Sequence, residues 1–369
     1  MKGTLNVSFP KISIRQFTIL VILFTIGNTI INAPSIIAKQ SGKDAWISSI
    51  IALILGLLLV LFYSYLGNKL GETSIFDYIK LVFGKVIGVI ISLLLCIYFF
   101  ILSSILLRQL GDFLITHIIP ETPLTAIFSL FLFIIVMAVR LGLETISRAS
   151  EVFLPIVLLF IILFMIALTP EIELTQIQPI LDEGIRPVLL ASMTFLSIPY
   201  LQLVAFLTII PNVDRKKKIS TGFILGTLIG GIVLIIGTTL CLLVIGANQT
   251  DYYRYPYFYL AQKISIGDII ERLEVFISLL WFVTIFFKLS ILFYATTIGI
   301  SQTFNLKEYR PIVLPLALIL LIIALNISPN INYFTHFHER YLLPYALSFG
   351  LLLPLLLLFV DKIKRVIKS

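Results

Sequence analysis

Charge is what this chain has least of. Asp, Glu, Lys and Arg together make up 12% of its 369 residues, roughly half the share found in soluble domains, which excludes a water-soluble globule. Cysteine occurs twice, as Cys96 and Cys241, each inside an apolar run. That excludes a disulfide framework and leaves two small packing residues. The three histidines, His117, His336 and His338, lack metal-ligand spacing. His336 and His338 stand at i, i+2 and could chelate, but their loop position favours an unliganded reading. With no metal cluster, nucleophile–base pair or phosphate loop, no enzyme chemistry and no cofactor are expected.

What the chain does have is apolar length: 59% of its residues are hydrophobic. Runs of about 18–25 residues, enough to cross a ~30 Å hydrocarbon core, fall at 15–38, 45–66, 86–107, 122–140 and 150–168. Five more fall at 188–210, 219–246, 269–299, 310–327 and 339–360. The N-terminus, the even-numbered loops and the C-terminus carry 18 Lys and Arg, the odd-numbered loops carry seven, and Arg272 and Lys288 lie inside span eight. The positive-inside rule then puts both termini in the cytoplasm, as an even number of spans requires. The net charge of +8 is thus a topology signal, with RKKK at 215–218 a flank of span six, and no nucleic-acid partner is expected. The first run is too long for a secretory h-region, and nine spans follow it. No loop is long enough to form a domain. The expectation is one integral membrane domain over 1–369, with internal repeats at about 12–168 and 188–360.

Two spans are interrupted. Span one reads FTIGNTIINAP at 24–34, placing Gly27, Asn28 and Thr29 near the bilayer centre. Span six breaks at Ser197-Ile198-Pro199. These are the first helices of two five-helix halves, and an odd number of spans per half inserts the halves in opposite directions. Paired discontinuous helices of that kind mark a midplane binding site in inverted-repeat transporters, since unwound backbone is tolerated in a bilayer only where protein or a cavity satisfies it. Each break alone could be a packing kink; their corresponding placement favours a site. Such a site suits a zwitterion. The half-helix starting near Thr29 aims free N–H groups at a carboxylate, and carbonyls freed at Phe24, Thr25 and Phe195 can accept from an ammonium. Glycine at 27 lets a ligand approach the backbone.

Other polar residues lie in the spans. Tyr98 in span three shares a face with Leu102, and its hydroxyl serves either a ligand or a neighbouring helix. Gln202, after the second break, lines the cavity or bonds across the bundle. In span eight Trp281, Thr284 and Lys288 recur at i, i+3, i+7 on one face. Lys288 lies about ten residues from its span's cytoplasmic end, a depth at which an ionisable group is a functional candidate. It is either a built-in cation held against carbonyls around Thr25 and Ile26, or a lysine snorkelling to the interface. Arg272 and Glu274, near the outer end of span eight, are interfacial or mutually paired.

Six blocks in order resemble one family: ISIRQFTIL with the GNT break, GKDAWISS, LGETSIFDYIKLVFGKVIG, PETPLTAI, GLETISRASEVFLPI and IERLEVFISLLWFVTIFFKLS. The chain resembles the B subunit of Ger-type spore germinant receptors, a branch of the amino acid–polyamine–organocation superfamily. The resemblance implies an all-α membrane protein with ten transmembrane helices in a LeuT-like 5+5 inverted repeat, helices 1 and 6 broken. It implies residence in the spore inner membrane, assembly with a larger A subunit and a lipoprotein C subunit, and binding of a nutrient germinant, typically an amino acid. Gly27, Tyr98, Leu102, the span-six break and Thr284 map to the family's germinant pocket. Gln202 stands where family members usually carry an acid, which questions any role needing charge there.

Two functions use such a pocket: a receptor subunit that signals to partners, and a proton-coupled amino-acid permease. The absence of a carboxylate near either break argues against sodium coupling.

Overall fold

The computed structural model describes residues 11–214, 219–263, 273–328 and 340–368. The expectations on His336, His338, Arg272 and the 215–218 cluster lie outside the described residues. Among those described the regular structure is helical, apart from one isolated parallel bridge pairing Ile12 with Val213.

Span one is two half-helices, α1 (Ile14–Ile26) and α2 (Thr29–Ser41). Ser13 starts α1 with a capping box: its hydroxyl accepts from the Gln16 N–H while its own N–H donates to Gln16 Oε1, satisfying two end groups reciprocally. Span two is α3 (Ala45–Leu70). The second loop, not expected to be helical, holds α4 (Ile75–Phe83), capped by the Ser74 hydroxyl. Span three is α5 (Lys85–His117), longer than the apolar run alone suggested. It therefore takes in Arg108, one residue beyond the apolar run. Spans four and five, α6 (Leu124–Leu141) and α7 (Leu143–Leu168), are separated by Gly142 alone, so Arg148 stands on a helix.

Span six is α8 (Ile185–Ser197) followed, across the break, by a 3₁₀ segment Leu201–Thr208. Then come α9 (Ile219–Tyr252), the short α10 (Pro256–Lys263), α11 (Leu273–Thr303) and α12 (Arg310–Asn326). Span ten, Arg340–Val366, contains a π-helical turn at Ser348–Leu352 before α13 (Leu353–Lys368). Eight stretches among the described residues are long and apolar enough to cross a membrane, the run Thr29–Leu70 counting once for α2 and α3 together; Ile14–Ile26 and Arg310–Asn326 are shorter. The chain is a multi-pass membrane protein.

Span seven holds span one in place through small residues. A methyl group at Gly222, Gly226 or Gly230 would stand within 2.8 Å of Thr18, Val21 or Thr25 on α1, so this four-residue ladder lets the two backbones approach closely. Two turns on, the Tyr257 hydroxyl from α10 occupies the place a side chain at Gly237 would take. Gly237→Ala must therefore expel Tyr257. It should lower the melting temperature in detergent by several degrees, and Tyr257→Leu in the same chain should recover much of the loss. Additive losses in the double variant would refute this notch.

The chain crosses with α1 and α2 and returns with α3, so α3's C-terminus shares an end of the bundle with the start of α1. There the carboxylate of Asp361, 5% exposed, meets Lys69 at 2.6 Å and Arg365 at 3.1 Å. Tyr78 on α4 stands beside it, its hydroxyl pKa pushed up to about 12 by burial and by the Asp361 carboxylate. Lys69→Met leaves that carboxylate underpaired and should cost about 2 kcal/mol, whereas adding Asp361→Leu should restore part of it. Chemical denaturation of the three variants checks the order.

Candidate functional site

Gly27 ends α1 with φ +32° and ψ −125°, a backbone shape that residues with a Cβ rarely adopt. Its N–H still donates to the Leu23 carbonyl at 2.8 Å, and its own carbonyl accepts from the Thr284 hydroxyl at 2.9 Å. The space a side chain would fill at Gly27 is taken by Lys288: a Cβ there would lie 2.5 Å from Lys288 Cδ and 2.7 Å from the Phe24 carbonyl oxygen. The glycine thus admits the lysine stem, where the sequence had suggested a ligand.

Lys288 is completely buried and does not reach an interface, so the snorkelling alternative falls. Its ammonium donates to Asn28 Oδ1 at 2.8 Å and to the Ile198 carbonyl at 3.1 Å, and stands 5.1 Å from the centre of the Phe24 ring. One partner comes from each helix break. The expected partners, the carbonyls of Thr25 and Ile26, are not the ones used. The Phe195 carbonyl is not free either, because it accepts from the Ile198 N–H at 3.1 Å; the Phe195 ring packs edge-on against Tyr200. Continuing the chain as 3₁₀ from Leu201 leaves the Ile198 carbonyl open to the ammonium.

Asn28 opens α2 without a side-chain cap, since its amide is committed elsewhere: Nδ2 donates to Gln109 Oε1 on α5 at 3.0 Å. Gln109, 2% exposed, escaped the sequence reading. The signal was its position seven residues beyond Leu102 and eleven beyond Tyr98, on one helix face. Thr29 is the first residue of α2, and its hydroxyl, like those of Thr25 and Tyr98, is buried with no hydrogen-bond partner. Around the second break the Ser197 hydroxyl donates to the Thr194 carbonyl at 2.7 Å, and Gln202 Nε2 donates to the Ser197 carbonyl at 3.3 Å. Gln202 therefore braces its own break, and its Oε1 is left without a partner.

The structure brings Gly27, Asn28, Thr284 and Lys288 into direct contact, together with Ile198 and Gln109. Tyr98 and Leu102 are buried nearby on α5, but the Tyr98 ring stacks on Phe349 of the π-helical turn at 4.8 Å and meets Tyr345 at 5.1 Å. Its ring contacts thus come from span ten. A cavity of about 20 Å³ beside the first break is lined by Ile26, Ile30, Ile31, Leu280, Trp281 and Thr284 among others. It has room for about one water molecule and none for an amino acid.

Residues 11–332 match the spore permease family, described as spore germination proteins. The chain belongs to that family. Within it, the chain is 29% identical over 309 residues to spore germination protein KB of Bacillus subtilis (strain 168), covering 83% of this chain and 82% of the relative. Spore germination protein XB of Bacillus anthracis is 28% identical over 281 residues, covering 74% and 77%. Among solved structures, the fold of this chain is similar to that of Mhp1, a nucleobase-cation-symport-1 family transporter in a closed conformation with bromovinylhydantoin bound. That match has a TM-score of 0.70 at 13% identity over 92% of this chain and 76% of the other. MhsT in complex with L-phenylalanine gives a TM-score of 0.66 at 14% identity over 94% and 97%. Among the described residues the architecture is the LeuT-like inverted repeat of ten spans with the first and sixth broken.

Proposed function

We propose that this chain is the nutrient-binding subunit of a spore germinant receptor, taking a small germinant of the amino-acid class at the two breaks and signalling through A and C partner subunits. The observation that carries this reading is the bare start of α2. Asn28 spends its amide on Gln109 and Lys288, so the first N–H groups of the half-helix face the break uncapped by a side chain. Such a terminus attracts a carboxylate, while the orphaned Thr25, Thr29 and Gln202 oxygens supply acceptors for an ammonium. Binding an amino acid beside the first break requires its small cavity to widen, and that movement is the signal. Gly27, Asn28, Thr29, Phe195, Ser197, Gln202 and Thr284 border the site in this reading, with Tyr98 and Leu102 reporting on it from span three.

Germination of a deletion strain across a panel of single L-amino acids tests the receptor. Loss of response to one of them, restored by the wild-type gene and accompanied by no accumulation of that amino acid in proteoliposomes, is the expected result. Proton-driven accumulation would make the chain a permease instead. An unaltered response to every amino acid would remove the class.

The same reading makes residues 1–369 one integral domain in the spore inner membrane with both termini cytoplasmic. In a chain lacking Cys96 and Cys241, Lys217→Cys should resist an impermeant thiol reagent added outside and react once the membrane is permeabilised. Labelling from outside would invert the topology.

A further inference from the structure

We propose that Gln109 is a positioning residue that sets the direction of the Asn28 amide and thereby makes the clamp between the two breaks possible. An asparagine side chain has two unlike ends, an oxygen that accepts and a nitrogen that donates, whereas a lysine ammonium can only donate. Only the oxygen end of Asn28 can face Lys288. Gln109 enforces that choice by presenting its own oxygen: Oε1 receives Asn28 Nδ2 at 3.0 Å, which leaves Asn28 Oδ1 for the Lys288 ammonium at 2.8 Å. Were Gln109 to present its nitrogen, Asn28 would turn and set a donor against the ammonium in a dry interior, where an unmade hydrogen bond is costly. The three side chains form a one-way sequence from span eight through span one to span three.

The register of span three is itself pinned beside this point. Arg108 Nε is 2.9 Å from Asp112 Oδ1 one turn on, and its Nη1 donates to the Leu325 carbonyl of α12 at 3.0 Å. The second bond ties α5 to span nine, and the first holds the guanidinium in place for it, so that Gln109 meets Asn28 at a set height. Gln109 thus works through Asn28, and its contribution reaches Lys288 without touching it.

The test uses the purified full-length protein in detergent and reads the melting temperature, so it stands whether or not the chain proves to be a receptor. Gln109→Leu removes the acceptor and should lower the melting temperature by about 3–8 °C. The decisive arm places Gln109→Leu in an Asn28→Asp chain. A carboxylate offers oxygen at both ends and needs no orienting, so the further loss should shrink below about 2 °C. Equal losses from Gln109→Leu in both backgrounds would show that Gln109 merely fills space and would overturn the proposal.

Discussion

Lys288→Met should cut the germinant response by at least tenfold and lower the amount of folded protein. Methionine keeps most of the stem but leaves Asn28 Oδ1 and the Ile198 carbonyl buried without the donor they now share. Each abandoned acceptor costs about 1–3 kcal/mol. Against that stands relief from holding an ammonium in the membrane, about 2.5–3.5 kcal/mol on the lenient insertion scale. The acceptors decide the outcome, because losing one member of a hydrogen-bonded buried set is worse than never having had the set. Lys288→Arg restores charge but not shape. Its planar fork is bulkier than an ammonium, and the backbone at Gly27 leaves no slack around the stem, so rescue should be partial. Immunoblotting of spore membranes beside a germinant dose series separates loss of protein from loss of response. A methionine variant with wild-type abundance and sensitivity would strip Lys288 of any role at the breaks.

Gly27→Ala should be nearly as damaging, although it adds one carbon. The new Cβ would press on Lys288 Cδ and on the Phe24 carbonyl oxygen, and the residue would have to hold φ +32°. The backbone shape alone costs about 1–2 kcal/mol for a residue with a side chain, and overpacking typically adds about 1–3 kcal/mol. Gly27→Leu should then prevent accumulation of the protein altogether. Sequence reasoning alone expects the leucine variant to accumulate normally and fail only in its response, because it reserves that space for ligand. The structure fills the space with the chain's own lysine. Placing Gly27→Ala in a Lys288→Ala chain distinguishes the two: the penalty of the first change should fall once Cδ is gone. A Gly27→Ala protein with wild-type melting temperature would contradict the packing described.

Spans and breaks were legible because their causes are local. An apolar run of sufficient length, a Gly-Asn pair and a proline after Ser-Ile each announce themselves within a few residues. The depth of Lys288 was legible for the same reason. Its partners were not, since the choice among Thr25, Ile26, Asn28 and Ile198 depends on how helices far apart in sequence are rotated against one another. Gln109 shows the limit well: nothing near it in sequence marks it, and its meaning comes from Asn28, 81 residues away. The loops misled for another reason. The gap between the apolar runs ending at 140 and starting at 150 predicts a loop carrying Arg148, but a single Gly142 between α6 and α7 suffices to turn the chain, so charge near a span end need not be charge in a loop. Tyr98 shares a helix face with Leu102, as its spacing required, yet the π-helical turn of span ten supplies the ring it stacks on, and an extra residue in a helical turn leaves no mark in hydropathy.

The clamp also orders the protein's synthesis. Asn28 precedes Lys288 by 260 residues and Ile198 precedes it by 90, so both acceptors have been made before the ribosome reaches the lysine. Spans one and six enter the bilayer with their breaks unfinished, and span eight arrives carrying the group that completes them. Lys288 is thus the last member of the clamp to be made. A nascent chain halted before span eight would hold two unwound segments with nothing to join them, and quality-control proteases of the membrane would meet it in that condition.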